Sequence, residues 1–169
     1  MYRTNLQINP VNVIIDNNIW KEQDNFNTWR QLVVNVFNTI TSMHECSNCS
    51  VNLLLTDNNT IRQLNKNFRN IDKPTNILSF PQFTSENREP LSQLKDVNIG
   101  DLAMSYDVIM KESTAFNKPF FDRCTHLFVH GVLHLLCMDH IEEDERIEME
   151  LLEIKILEIF GIKNPYFVD

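Results

Sequence analysis

The sequence predicts an α+β fold, with a small mixed β-sheet of about four strands packed with about five helices. Two observations carry this expectation. β-type apolar runs sit in the first two thirds of the chain, and the last third reads as nearly continuous helical periodicity. Size sets the scale: 169 residues with 43% hydrophobic content suffice for one ordinary core and not for two. Residues 1–169 are therefore expected to form a single domain.

VNVIID (11–16) reads as the first strand, and Trp29, Leu32, Val33, Val36, Phe37 and Ile40 recur at helical spacing between Phe26 and Met43. SVNLLLT (50–56) is a second strand. Asp57, Asn58 and Asn59 then offer caps for a helix from about Thr60 to Arg69. TNILSF (75–80), set between Pro74 and Pro81, is a third strand. After a polar loop without a period (82–98), IGDLAMS (99–105) returns to strand character. Helices follow over about 106–116, 119–137 and 142–160. The last has Ile147, Leu151, Leu152, Ile154, Ile156 and Leu157 as its apolar set, and Gly161 stops it.

A net charge of −8 at pH 7 opposes nucleic-acid binding through a broad basic surface and leaves room only for a local basic groove. In the first twenty residues the apolar run is cut by Asn12 and ended by Asp16, so neither a signal peptide nor a membrane span is expected, and the reading is cytoplasmic. Cys46, Cys49, Cys124 and Cys137 are then expected to be reduced thiols. Cys46-Ser-Asn-Cys49 has the spacing of half a zinc site, but no second ligand pair follows and it reads as a loop.

HGVLHLLCMDH (130–140) holds three of the five histidines in the chain. Residues four apart share a helix face, so His130 and His134 can present imidazoles to one point roughly 6 Å from each backbone position. His140 can join them only if the helix ends first, and the turn is expected at Met138-Asp139. Three neutral imidazoles with an open fourth position describe a catalytic zinc site, where bound water is acidified to a pKa of about 7. The spacing His-x3-His-x5-His is also that of one class of zinc peptidases, which makes the expected site zincin-like, built on a helix and the following turn. Those peptidases need a glutamate directly after the first histidine. Gly131 stands there, so peptidase chemistry loses its base.

HGVLHLLCMDH resembles the H-G-x-L-H-L-x-G-[YHM]-D-H signature of the YbeY family of bacterial metal-dependent endoribonucleases, also called rRNA maturation factors. LNKNFRNIDKPTNILSFP (64–81) and IGDLAMS extend the likeness over some 110 residues. The resemblance implies a single-strand-specific endoribonuclease, acting in rRNA maturation at the small-subunit rRNA 3′ end and in ribosome quality control. It implies one Zn2+ held by His130, His134 and His140, and an arginine important for activity at Arg69, with Phe68 in place of the usual tyrosine. His126 matches a histidine often seen upstream of the motif. The implied partners are single-stranded rRNA, the small ribosomal subunit and its assembly proteins, with no membrane.

The residues agree with that transfer. Arg62, Lys66 and Arg69 recur opposite Ile61, Leu64 and Phe68, giving a basic stripe that Lys73 extends toward a substrate backbone. A guanidinium at Arg69 suits both phosphate recognition and charge stabilisation at phosphorus. Asp139 can orient a histidine or handle a proton, with a turn role equally open. Thr75 and Ser79 read by default as packing and turn residues, with substrate contact as the alternative, Gly100 as a place where backbone passes close to the metal helix, and Cys124 as core. EEDERIEMELLE (142–153) reads as a solvated acidic face, suited at most to a basic protein partner. The competing function readings are a metal-stabilised ribosome assembly factor that does not cleave and, less favoured, a metallopeptidase. Cys137 occupies the place of the signature glycine, where positive φ would cost a cysteine on the order of 1 kcal/mol.

Overall fold

The computed structural model describes residues 9–46, 48–84, 86, 90, 93, 95–138 and 141–167. Four strands, β1 (Val11–Ile15), β2 (Ser50–Thr56), β3 (Ile77–Pro81) and β4 (Asn98–Ser105), form one sheet in the order β1-β2-β4-β3. β1, β2 and β4 run parallel, and β3 lies antiparallel at the edge, with Phe80 opposite Asp101 and Pro81 opposite Gly100. The mixed sheet is as expected. Pro81 is the last residue of β3 rather than the first residue beyond it, which an edge strand allows because a missing N–H there disrupts no central ladder. The expected loop 82–98 falls partly outside the described residues, and Asn98 already belongs to β4.

Among the described residues there are five α-helices, α1 (Phe26–Met43), α2 (Asn58–Arg69), α3 (Tyr106–Ala115), α4 (Phe120–Leu135) and α5 (Glu143–Ile159), of which α5 packs on α4 and α1. A short 3-10 turn at Asn18–Trp20, which the sequence reading had not foreseen, plants Trp20 in the core. Asp57 caps α2 by accepting from the Thr60 N–H at 3.0 Å, and Asn70 ends it in the left-handed region at φ 58°. Strand alternation splits the core. Val51, Leu53, Leu55, Leu102 and Met104 face the main cluster with α1 and α4, while Leu78 and Ala103 face Ile61 of α2 on the other side.

α4 is the central helix, with ten buried residues that include Cys124, as expected. Cys46 and Cys49 are buried cysteines just before β2, and burial together with the neighbouring Cys46 pushes the Cys49 thiol up to about 11. Among the described residues no helix is long and apolar enough to cross a membrane.

Two glycines set the approach of sheet and helix. Gly100 has φ 145°, and a Cβ there would run into the Phe80 carbonyl oxygen and come within 2.8 Å of Leu135 Cδ2 at the end of α4. Gly100→Ala is expected to lower stability by about 3 kcal/mol, a fall in Tm of roughly 6–12 °C in a thermal melt. At Gly131 a Cβ would meet Ile77 Cδ1 and Leu102 Cδ2 at 2.8 Å each. This glycine therefore serves helix-to-sheet packing and faces away from any substrate.

The buried face of α5 differs from the expected one. Met149, Glu153, Ile156 and Leu157 point inward, while Ile147 and Leu151 are 43% and 61% exposed. Phe68 is likewise mostly exposed, lying edge-on to Phe80 with ring centroids 5.2 Å apart.

Candidate metal centre

One turn of α4 brings His130 and His134 together, their Nε2 atoms 3.1 Å apart. Two imidazole ligands on a tetrahedral zinc at 2.0–2.1 Å stand roughly 3.3 Å apart, so the spacing of this pair is compatible with such an ion. Among the described residues no group of three metal-binding side chains forms. The expected third ligand, His140, and its neighbour Asp139 lie outside the described residues.

α4 ends at Leu135 and the chain turns at Leu136 and Cys137, earlier than the expected turn at Met138-Asp139, of which Asp139 lies outside the described residues. Cys137 sits at φ 63°, with its N–H donating to the His134 carbonyl at 2.9 Å and the Met138 N–H to the Leu133 carbonyl at 3.0 Å. These two bonds form a Schellman motif with cysteine in the position that glycine usually takes. The thiol donates to the Phe83 carbonyl at 3.5 Å and lines the cleft described below. Cys137→Gly is expected to raise stability by about 1 kcal/mol, read as a later denaturation midpoint at unchanged slope.

Behind the histidines lies a buried carboxylate that the sequence reading missed. Glu153 of α5, whose side chain is 1% exposed, sits 2.6 Å from His130 Nδ1 through Oε1 and 3.1 Å from His126 Nε2 through Oε2; the Tyr166 hydroxyl also donates to Oε2. Burial pushes this carboxyl up, but its bonds to His126, His130 and Tyr166 outweigh burial and hold it at about 2. Burial depresses the His126 imidazole below its ordinary value against the pull of Glu153, and Tyr166 is raised by burial and then by Glu153. Beyond His126, Arg123 donates to its Nδ1 at 3.0 Å and to Glu112 Oε2 at 2.8 Å and 3.0 Å. Glu112 in turn accepts from Asn76 Nδ2 at 3.1 Å.

His130 and His134 open onto a cleft of about 950 Å3, and Arg69, at the end of α2, lines the same cleft. Thr75, Asn76 and Ser79 line it too. Arg62 and Lys66 stand apart from it, with Arg62 Nε 2.7 Å and Lys66 Nζ 3.3 Å from the carboxylate of Asp72. Lys73 is exposed, and its carbonyl accepts from buried Asn65 at 2.8 Å, which ties the turn after α2 back to the helix. The structure thus gathers Arg69 with the histidine pair and leaves the rest of the basic stripe outside.

Residues 14–161 match the profile of the family described as Endoribonuclease YbeY. The chain belongs to the YbeY endoribonuclease family. It is 42% identical over 118 residues to the endoribonuclease YbeY of Sinorhizobium fredii, covering 69% of this chain and 65% of that protein. It is 42% identical over 138 residues to that of Francisella philomiragia, covering 81% and 85%, and 40% identical over 137 residues to that of Francisella tularensis subsp. tularensis, covering 81% and 80%. The fold is similar to the solution structure of TM1509 from Thermotoga maritima, with a TM-score of 0.57 at 18% identity over 89% of this chain and 91% of that one. The YbeY match spans Arg69, His126, the three signature histidines and Glu153, and ends before Tyr166.

Proposed function

We propose that this chain is a zinc-dependent endoribonuclease that cuts single-stranded RNA, acting in rRNA maturation at the small-subunit 3′ end and in ribosome quality control. The observation that carries the reading is the convergence of a metal-compatible histidine pair and an exposed arginine on one cleft. His130 and His134, with His140 as the third ligand, would hold one Zn2+. When bound, that ion supplies Lewis-acid activation of water and of a phosphoryl oxygen.

The rest of the site positions substrate. Arg69 offers a planar, permanently charged fork to the scissile phosphate and stabilises the negative charge that builds at phosphorus. Thr75 and Ser79, which line the same cleft, supply polar contacts to a single strand laid along it, while the Asn76 amide is held by Glu112 and the Ile77 N–H. Arg62, Lys66 and Lys73 extend the basic face for flanking phosphates; the pairs with Asp72 are exposed and therefore weak enough to be exchanged. Asp139 is assigned to orienting a ligand or carrying a proton. The cellular partners that suit an rRNA substrate are the small subunit and its assembly proteins, in the cytoplasm.

Product ends and strand preference test this reading together. Zinc-loaded protein should cut a single-stranded rRNA oligonucleotide at least tenfold faster than the same sequence in a duplex, leaving simple phosphate ends. Cyclic phosphate ends would reassign the attack to the substrate's 2′-hydroxyl. Equal cutting of both strands would contradict the single-strand reading. The peptidase alternative lacks its base twice over, since Gly131 carries no carboxylate and its Cβ direction points into Ile77 and Leu102.

A further inference from the structure

The second ring nitrogen of His130 is tied to a group outside the HGVLHLLCMDH motif. Glu153 comes from α5, twenty-three residues after His130, yet its carboxylate is the hub of the buried side of the centre. We infer that Glu153 is a positioning residue, which fixes the ring and tautomer of His130 so that the Nε2 electron pair is directed at the metal. The inference rests on the zinc reading above.

Donor counting establishes the roles. An arginine can only donate, so His126 Nδ1, 3.0 Å from Arg123 NH1, must accept. The proton of neutral His126 is then on Nε2, and it is donated to Glu153 Oε2. Tyr166 donates to the same oxygen. The remaining oxygen, Oε1, faces His130 Nδ1 at 2.6 Å, and an acceptor-only carboxylate requires that nitrogen to carry its proton. His130 is thereby left with its electron pair on Nε2, the atom that meets His134 Nε2.

Three donors converge on two oxygens, and only a carboxylate satisfies all of them. A glutamine would place an NH2 on one side. Facing His130, it would force the proton to Nε2 and remove the electron pair from the metal. Facing His126, it would meet a nitrogen that Arg123 prevents from becoming an acceptor. The network also explains a cost the fold accepts: a carboxylate with a 1% exposed side chain is retained on the apolar stripe of α5, beside Ile156 and Leu157. Partners that orient metal-bound histidines in this way typically change metal affinity by about 10–100-fold when removed.

The test reads zinc binding and ring protonation, not cleavage. Zinc affinity is measured by chelator competition on the full chain, and folding is checked by circular dichroism. Glu153→Gln is expected to weaken zinc binding by about 10–100-fold, whereas Tyr166→Phe, which removes one donor and keeps the carboxylate, stays within about threefold of wild type. Nitrogen-15 spectra of the zinc-free wild-type protein should show His130 protonated on Nδ1 and unprotonated on Nε2, a readout that requires no variant. The opposite tautomer in wild type would overturn the assignment. So would zinc affinity within twofold of wild type in folded Glu153→Gln, or an equal loss in both variants, which would trace the effect to packing. A wild-type protein that takes up no zinc would remove the metal centre itself, a failure of the function reading that these other outcomes do not share.

Discussion

His134→Ala should abolish zinc-dependent RNA cleavage, with a loss of at least ~1000-fold, equivalent to about 4 kcal/mol of transition-state stabilisation. The imidazole lies on the last turn of α4 with its Nε2 3.1 Å from that of His130, so its loss removes one of the two imidazoles proposed to hold the ion. Alanine keeps the helix, and the surrounding core of Leu133, Leu135 and Leu136 is untouched. The variant should therefore melt cooperatively while failing to cut a single-stranded rRNA oligonucleotide. This separates an enzyme from an assembly factor: cleavage at the wild-type rate by folded His134→Ala would place the catalytic centre elsewhere, or show that there is none.

Arg69→Ala is expected to reduce kcat/KM by a hundred- to a thousandfold, about 3–4 kcal/mol, with zinc content unchanged. Arg69 is exposed at the end of α2 and lines the cleft that His130 and His134 open onto. Its side chain contributes to the substrate side of the centre and holds no part of the core, so stability should change little. Lysine restores charge without the planar fork, and Arg69→Lys should recover only part of the rate, staying about tenfold below wild type. Arg62→Ala and Lys66→Ala, whose side chains pair with Asp72 outside the cleft, should each cost less than about threefold in the same assay. A larger effect at Arg62 than at Arg69 would reverse the order of importance that the geometry sets.

Much of this molecule was legible from short-range signals. Short β-type apolar runs marked all four strands, and Asp57 marked the start of α2, because strand propensity and helix capping depend on residues within a few positions, whereas the pairing of strands 40 or more residues apart does not. The left-handed end of α4 was also visible as the tension between a turn that favours glycine and the cysteine at 137, and the structure resolves it with φ 63°.

What escaped depends on long-range partners. Glu153 sits among the acids of 142–153, and charge alone does not distinguish it from its solvated neighbours; His126 and His130 on another helix, together with Tyr166, make its burial tolerable. A carboxylate four residues after Met149 and three before Ile156 was the available sign. That sign was obscured because Ile147, Leu151, Ile154 and Ile159 spread apolar side chains around α5 and blur its phase. Arg62 and Lys66 were read as one stripe with Arg69, since helical spacing cannot show that Asp72, beyond the helix end, folds back onto the first two. The packing role of Gly131 is equally invisible locally, because its neighbours, Ile77 and Leu102, come from strands 54 and 29 residues earlier.

Metal analysis of protein purified without added metal tests the central claim most directly. One equivalent of zinc per chain is expected in wild type, with that equivalent lost in His130→Ala and RNA cleavage lost with it. Metal-free protein that cleaves single-stranded RNA at the full rate would contradict the account.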